Sequence, residues 1–412
     1  MSSSSSNKLS EPCERILSFL LDKKSLIHQE QTSKTKKIFK TLYRDLLEAD
    51  THTPDFNPEI IEVSPSVNIP KPKNFGDNAF PIGVQEHIDS TAKNIISYTF
   101  SLLERNIKVN IVVEESVNKE NITKYNEYVR KLLIWLTIIH KYTRYGPYKT
   151  CSKTLTFYIY LTSLKKQLPD NNKSILTQNH VNTAFTSTCP YVSEIVIFRE
   201  EEKLRAGIHE TMHNFALDFS DMDMTKCHAK ILSIFPVKSE VNLFEAYTEF
   251  WAKIINIVFC SYFLNGNNTN EKTFLHNVDV LINFEIAFCF LQMVKVLEFM
   301  GLKYSDLYNP KSEQLRSKLY KEDTNVLSYY VLALILLNNY QGFLEWCEEY
   351  NVTLLQFKKS GANLMGFCEF IEKNYTSKSM LAYVSKMERL NKSGSNDPLI
   401  KSSARLSAVE LG

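Results

Sequence analysis

The sequence has no uncharged apolar run of membrane-spanning length, no Cys-x-x-Cys pair and almost no net charge. The nearest approach to such a run, residues 284–300, is interrupted by Glu285, Gln292, Lys295 and Glu298, a pattern typical of a buried helix. Lys and Arg number 48 against 46 Asp and Glu. This balance gives no reason to expect nucleic acid or a membrane as a partner, so recognition must depend on a local site.

Two further absences bear on the cellular compartment. The apolar stretch 16–21 is too short, and too soon followed by charge, for a secretory signal. The eight cysteines are scattered along the chain without close pairs, which favours reduced thiols. We therefore expect a soluble cytoplasmic protein that is not secreted.

The chain is otherwise of ordinary globular composition, with 412 residues, 44% of them apolar and 23% charged. Six of its 13 prolines fall between residues 54 and 81, which predicts an extended segment because proline blocks both helices and strand pairing. We expect five regions: a disordered serine-rich N-terminus (1–10), a helical and proline-rich extension (11–83), an α/β subdomain (84–220), a helical subdomain (221–390) and a mobile tail (391–412).

Hydrophobic periodicity predicts the elements of these regions. Strands are expected at 107–113, 155–161, 182–187 and 194–199, and helices at 88–103, 124–140, from 201 past 215, 241–264, 277–300, 324–347 and 363–389. The fold class predicted is α+β: an α/β sheet layer that carries the helix after residue 201, followed by a mostly helical C-terminal subdomain.

The most informative residues form a His-Glu-x-x-His pattern on the helix that opens near residue 201. Residues i and i+4 share one helical face, so His209 and His213 can reach a single zinc ion while Glu210 projects beside it. The alternative is a pair of surface histidines on a solvated helix. Apolar residues around the motif argue against that alternative, because they bury much of the helix.

Two histidines leave zinc short of a protein ligand, and a later helix offers carboxylates. Glu245 and Glu249 lie one turn apart among apolar residues, where a carboxylate needs a metal or hydrogen-bond partner. The alternative is an ordinary exposed face that Glu240 and Lys253 would share with them.

These two helices resemble those of gluzincin metallopeptidases. The resemblance implies that Glu245 is the third ligand of one zinc ion per chain, and that Glu249 lies behind the ligands as a hydrogen-bond partner of His209. The Glu-x-x-x-Glu form is similar to toxin-like gluzincins such as anthrax lethal factor. Residues 181–220 look most like zincin-like proteins of large DNA viruses, which implies a zincin fold for the sheet layer and a location in the host cytoplasm or the virion.

Metzincins, a rival class, continue the motif with a glycine and a third histidine. Those positions hold Ala216 and Phe219 here, so that class is excluded. Asp218 is one residue out of register for a replacement ligand and His228 would need a different geometry, so we interpret both as cap or loop residues.

Zincins bind substrate along a sheet edge, and we expect Asn182, Thr183 and Ala184 to provide it. An ordinary internal strand fits these residues as well. The reaction also needs a donor to the developing oxyanion. We expect Tyr330, or else Tyr329, at the start of an apolar helix, although an aromatic core pair fits the same pattern. His180, His228 and His276 are lesser candidates.

The function expected from the sequence is zinc-dependent hydrolysis of a peptide or protein substrate, with Glu210 as general base. A zinc-stabilised structural or interaction protein, for instance a virion component, is the alternative. Glu210 speaks against it, because a purely structural zinc site has no need of that carboxylate. A third possibility is a pseudoenzyme whose cleft is closed by the proline-rich segment.

Overall fold

The structure is a computed structural model that describes residues 8–53, 58–65, 68–75, 79–143, 150–264 and 270–412. The first serines and parts of the proline-rich segment lie outside these residues. Contacts divide the chain into two units. The sheet unit comprises Arg44–Lys165 and Asn182–Ser220, and the helical unit comprises Met1–Tyr43, Lys166–Val181 and Asp221–Gly412.

The α-helices run in chain order as follows: α1 (Glu11–Asp22), α2 (Ser33–His52), α3 (Ile82–Thr91), α4 (Ile122–Thr143), α5 (Gln178–Val181), α6 (Lys203–Asn214), α7 (Thr225–Ile234), α8 (Leu243–Phe263), α9 (Glu271–Phe299), α10 (Glu313–Leu319), α11 (Ala333–Asn338), α12 (Tyr340–Tyr350), α13 (Gly361–Asn374), α14 (Lys378–Lys392) and α15 (Pro398–Lys401). A π-helical segment, Leu327–Leu332, precedes α11, and 3-10 turns lie at Tyr304–Leu307 and Pro310–Ser312.

The strands are β1 (Glu59–Glu62), β2 (Asn94–Leu102), β3 (Arg105–Val113), β4 (Thr154–Leu161), β5 (Leu176–Thr177), β6 (Ala184–Thr186), β7 (Val192–Ile197) and β8 (Glu322–Asp323). Six of them form the sheet of the sheet unit, in the order β1-β2-β3-β4-β7-β6. Pairing is parallel for β3, β4 and β7, whereas β1, β2 and β6 join antiparallel. The mixed α+β class predicted from the sequence is confirmed.

The sheet forms because its central strands are rich in β-branched and aromatic residues that are buried along most of their length. Part of the proline-rich segment packs against it. The Glu194 carboxylate on β7 accepts hydrogen bonds from the backbone N–H groups of Lys73 and Asn74, both at 2.9 Å. The Tyr160 hydroxyl on β4 donates to the carbonyl of Pro70. Backbone N–H and carbonyl groups of this segment thus form hydrogen bonds with side chains of the sheet.

One helix predicted from the sequence is wrong. Residues 88–103 were expected to form a single helix, but α3 ends at Thr91 and residues 94–102 form β2. Asn94–Phe100 reads Asn-Ile-Ile-Ser-Tyr-Thr-Phe, which is rich in β-branched and aromatic side chains that favour a strand. Pairing with β3 along its whole length fixes that conformation.

The expectation of uniformly reduced thiols is also wrong, since Cys151 and Cys189 form a disulfide. Their separation of 38 residues hid the pair from sequence spacing. The chain segments before β4 and β7 bring the two cysteines together, because these strands are parallel neighbours.

The helical unit is built around α8 and α9, whose side chains are buried along most of both helices. Of the helices that the structure describes, α9 is the one long and apolar enough to cross a membrane, and 94% of its most apolar window is buried. Both helices have apolar residues on every face, as is typical of central core helices.

The mobile tail expected at 391–412 differs from what the structure contains. Residues 403–409 are buried, and the Glu285 carboxylate on α9 accepts hydrogen bonds from the N–H groups of Ala408 and Val409 at 3.0 and 3.1 Å. This segment mixes serines with short apolar residues, so its sequence shows little hydrophobic periodicity, although it packs against a buried helix.

Candidate metal centre

The His-Glu-x-x-His motif lies on α6, which is buried from Arg205 to Asn214. Helix α4 holds it in place: the Trp135 indole N–H donates to the Thr211 hydroxyl at 2.5 Å, and the Tyr128 hydroxyl donates to the carbonyl of Lys203 at 3.3 Å. The interpretation of the motif as a solvated surface helix is therefore wrong.

The two imidazoles converge on one point. The Nε2 atoms of His209 and His213 lie 3.1 Å apart, close to the separation of about 3.3 Å that two nitrogens have on a tetrahedral zinc ion. Among the described residues, one group could hold a metal ion: His209, His213 and Glu245 each offer a ligand atom within 4.8 Å of the others. Glu210 follows His209 on α6 and is 8% exposed.

The end of α6 brings a second carboxylate to His213. Ala216 adopts a left-handed conformation with φ of 53°, and the Leu217 N–H donates to the carbonyl of Met212 at 2.9 Å, as in a Schellman motif. The chain therefore turns back, and the Asp218 carboxylate, which is fully buried, contacts Nδ1 of His213. Asp218 is a partner of a candidate ligand, where the sequence suggested a cap or loop.

Asn214, the last residue of α6, connects the end of the helix to neighbouring segments of the sheet unit. Its side-chain N–H groups donate to the Thr186 hydroxyl at 2.9 Å and to the Ser187 carbonyl at 3.1 Å. Ser152 donates to the Asn214 side-chain oxygen, and the Cys189 N–H donates to the Asn214 carbonyl at 3.2 Å. The disulfide of Cys151 and Cys189 thus connects the two segments that contact this residue.

Glu245 is held from both sides within the helical unit. Its Oε1 accepts a hydrogen bond from the Asn325 side-chain amide at 3.2 Å, and its Oε2 accepts one from the Tyr329 hydroxyl at 3.1 Å. No sequence spacing links residues 325 and 245. The feature of the sequence that could have identified Asn325 is its position four residues, about one helical turn, before Tyr329.

Glu249 and Lys253 lie one turn apart on α8, are 0% and 2% exposed, and form an ion pair. The alternative of an exposed acidic face is therefore wrong for these two side chains. The predicted contact of Glu249 with His209 stays a prediction.

The residues predicted to bind substrate lie at an edge of the sheet. Residues Ala184–Thr186 form β6, which is the last strand of the sheet at this side among the described strands. The carbonyl oxygens of Asn182 and Thr183 accept hydrogen bonds from the Arg199 side chain and the Phe198 N–H, at 3.1 and 2.9 Å. The pairing of Thr183 with Phe198 turns the N–H and C=O of Ala184 away from β7.

The two tyrosines predicted as oxyanion donors differ in their contacts. The Tyr330 hydroxyl is buried and donates to the carbonyl of Ala404 at 2.6 Å, whereas the Tyr329 hydroxyl contacts Glu245. Of the lesser candidates, His180 accepts a hydrogen bond from the Thr177 N–H through Nδ1 at 3.1 Å, and His276 is exposed.

We compared the chain with known proteins. No protein-family model, no curated protein and no solved structure matches it. The class that fold and site define is a mixed α+β protein with a His-His-Glu group able to hold a metal ion.

Proposed function

We propose that this chain is a zinc-dependent peptidase with a zincin-like sheet layer and a gluzincin ligand set. The observation that carries the proposal is the convergence of His209, His213 and Glu245. Two imidazoles and one carboxylate are the donor set of many catalytic zinc sites, which keep the fourth position open for water or substrate. Zinc bound there would supply a Lewis acid for the scissile carbonyl.

Glu210 would act as the general base. It adjoins His209 on α6 and is nearly buried, so its carboxylate can accept a proton from the attacking water and later deliver it to the leaving amine. Neither His209 nor His213 can serve as base while its Nε2 atom binds a metal. A structural site would gain nothing from a carboxylate at this position.

A peptide substrate would pair with β6. The outward N–H and C=O of Ala184 can form two main-chain hydrogen bonds to an extended peptide, which gives affinity with little dependence on sequence. The place of β6 at the sheet edge, and its contact with Asn214 through Thr186, support this assignment. The oxyanion donor stays a prediction for either tyrosine.

Two measurements on one set of variants test the proposal. Mass spectrometry of the metal-bound protein should give one zinc per chain in the wild type and almost none in the His209→Ala, His213→Ala double variant. Hydrolysis of a diverse peptide library should occur with the wild type and disappear in Glu210→Gln, which keeps zinc but cannot accept the proton.

Each outcome has a definite consequence. Stoichiometric zinc in the double variant would contradict the ligand assignment. Equal cleavage by wild type and Glu210→Gln would exclude Glu210 as base. Zinc that is bound without cleavage of any peptide would favour the zinc-stabilised structural protein instead.

A further inference from the structure

The carboxylate of Glu245 accepts a hydrogen bond on each of its oxygens. Asn325 donates to Oε1 and Tyr329 donates to Oε2, with donor–acceptor distances of 3.2 and 3.1 Å. With a donor on each oxygen, the plane of the carboxylate is fixed.

The donors are themselves fixed. The Asn325 side-chain oxygen accepts a hydrogen bond from the Asn242 amide at 2.9 Å, so its NH₂ group must point to Glu245, which can only accept. The Asn325 carbonyl accepts a hydrogen bond from the Tyr329 N–H at 2.9 Å, and the Asn242 carbonyl accepts one from the Glu245 N–H at 3.1 Å. These bonds close a ring of contacts around the start of α8.

Tyr329 lies in the π-helical segment Leu327–Leu332. Its hydroxyl contacts Glu245, whereas the hydroxyl of its neighbour Tyr330 contacts the carbonyl of Ala404. Single π-helical turns are rare and occur mostly at functional sites. Asn325 and Tyr329 thus act together on one carboxylate.

We propose that Asn325 and Tyr329 are positioning residues that hold Glu245 in the orientation in which it binds the metal ion. This inference rests on the proposed function, because it takes Glu245 as a ligand. A glutamate side chain that is already ordered pays less conformational entropy on binding. Partners behind a metal ligand typically contribute about 10 to 100-fold to metal affinity.

Near-isosteric substitutions isolate the two donors. Asn325→Asp keeps the acceptor for Asn242 and replaces the amide donor with a second carboxylate, and Tyr329→Phe removes only the hydroxyl. Matched controls are Tyr304→Phe and Asn277→Asp. They delete a tyrosine bond to the Tyr375 carbonyl at 2.8 Å and an amide bond to the Ser261 carbonyl at 3.1 Å. Both bonds lie in the same unit, and neither involves Glu245 or its two donors.

The experiment measures zinc affinity by competition with a chromophoric chelator, and the visible spectrum of the cobalt-substituted full chain. We expect Tyr329→Phe and Asn325→Asp each to weaken zinc binding by about 10 to 100-fold and to alter the cobalt bands. The zinc affinity of the controls should stay within about twofold of the wild-type value, because their substituted groups do not contact Glu245 or its donors. Circular dichroism of the metal-free variants verifies folding, and either variant alone suffices if the other does not fold.

The outcomes separate this inference from the proposed function. Wild-type zinc affinity in both variants, with zinc still lost from His209→Ala, His213→Ala, would overturn the inference and leave the function standing. A Tyr329→Phe variant with lower turnover but unchanged zinc affinity would make Tyr329 an oxyanion donor instead. A wild-type chain that binds no zinc would overturn both proposals.

Discussion

A histidine that binds a metal through Nε2 carries a proton on Nδ1, and the partner of that proton sets the orientation of the ring. In this chain the partner of His213 is Asp218. The other Asp218 oxygen accepts hydrogen bonds from the Ser220 N–H at 3.0 Å and from the Ser220 hydroxyl at 2.9 Å. Both oxygens of this buried carboxylate therefore face donors.

Asp218→Asn should weaken zinc binding by about 10 to 100-fold. A carboxamide has one acceptor oxygen, so it can satisfy either the His213 ring or the Ser220 N–H, and its NH₂ must then face a donor. Chelator competition measures the change. The control is Ser220→Ala, which removes the hydroxyl contacts with Asp218 and Thr188 but keeps the Ser220 N–H bond to Asp218. An unchanged zinc affinity in Asp218→Asn would mean that this contact does not orient His213.

The ligands of the candidate site could be predicted from the sequence, whereas their partners could not. His209, Glu210 and His213 belong to one helix, whose period relates them directly. Asp218 reaches His213 only because Ala216 turns into the left-handed region, where glycine is the usual residue. Asn325 reaches Glu245 across 80 residues of chain.

At the level of elements, the helix α6 has its C-terminal end fixed by Asn214 and by the segments that the disulfide joins. Cys151 precedes Ser152, which bonds the Asn214 side chain, and Cys189 bonds the Asn214 carbonyl through its N–H. His213 directly precedes Asn214. The disulfide therefore helps to hold a candidate ligand in place through the contacts of Ser152 and Cys189 with Asn214.

Replacing both cysteines, as Cys151→Ser with Cys189→Ser, should lower the free energy of unfolding by up to about 4 kcal/mol, the loop-closure value for a separation of 38 residues. Urea unfolding measures it. Dithiothreitol should destabilise the wild type and leave the double variant unaffected. Titration of the unfolded, unreduced wild type should find six thiols among the eight cysteines, and eight thiols would contradict the pairing.

The sequence predicted elements best where one pattern was sustained. Strands β3 and β4 and helix α4 agree closely with the predicted ranges, because long runs of buried side chains repeat at one period. Around residue 92 a helical pattern of apolar residues is followed by a strand pattern. The sequence therefore predicted one helix where the chain forms helix α3 and strand β2. The range 324–347, predicted as one helix, contains the π-helical segment and is interrupted at Asn339, between α11 and α12.

At the scale of the whole chain, its first and last described segments pair with each other. Leu9 and Leu411 form an antiparallel bridge, and the Ser10 N–H donates to the carbonyl of Glu410 at 2.8 Å. Residues 403–409 continue from this bridge along α9. There the Gln292 side chain donates to the Arg405 carbonyl at 2.6 Å.

The buried carboxylate of Glu285 makes the core depend on this segment. Burial raises its pKa, while the N–H groups of Ala408 and Val409 favour its ionised form. Without the segment, Glu285 would lose both donors, and the apolar surface that Leu406 and Val409 cover would be exposed. Each apolar side chain that becomes exposed costs about 2 kcal/mol, and each lost hydrogen bond to the carboxylate costs about 1.5 to 3 kcal/mol.

A chain that ends at Lys401 should therefore lose more than about 5 kcal/mol of unfolding free energy, enough to unfold many domains. A chain that ends at Glu410 is the matched control. It keeps both donors to Glu285 and the ion pair of Glu410 with the buried Arg405. It loses the bridge at Leu411 and the bond from the Gly412 N–H to the Lys8 carbonyl, so it should remain folded. Urea unfolding of the purified chains measures the differences. A chain ending at Lys401 that unfolds within about 1 kcal/mol of the full chain, less than one buried apolar side chain contributes, would contradict a core role for this segment.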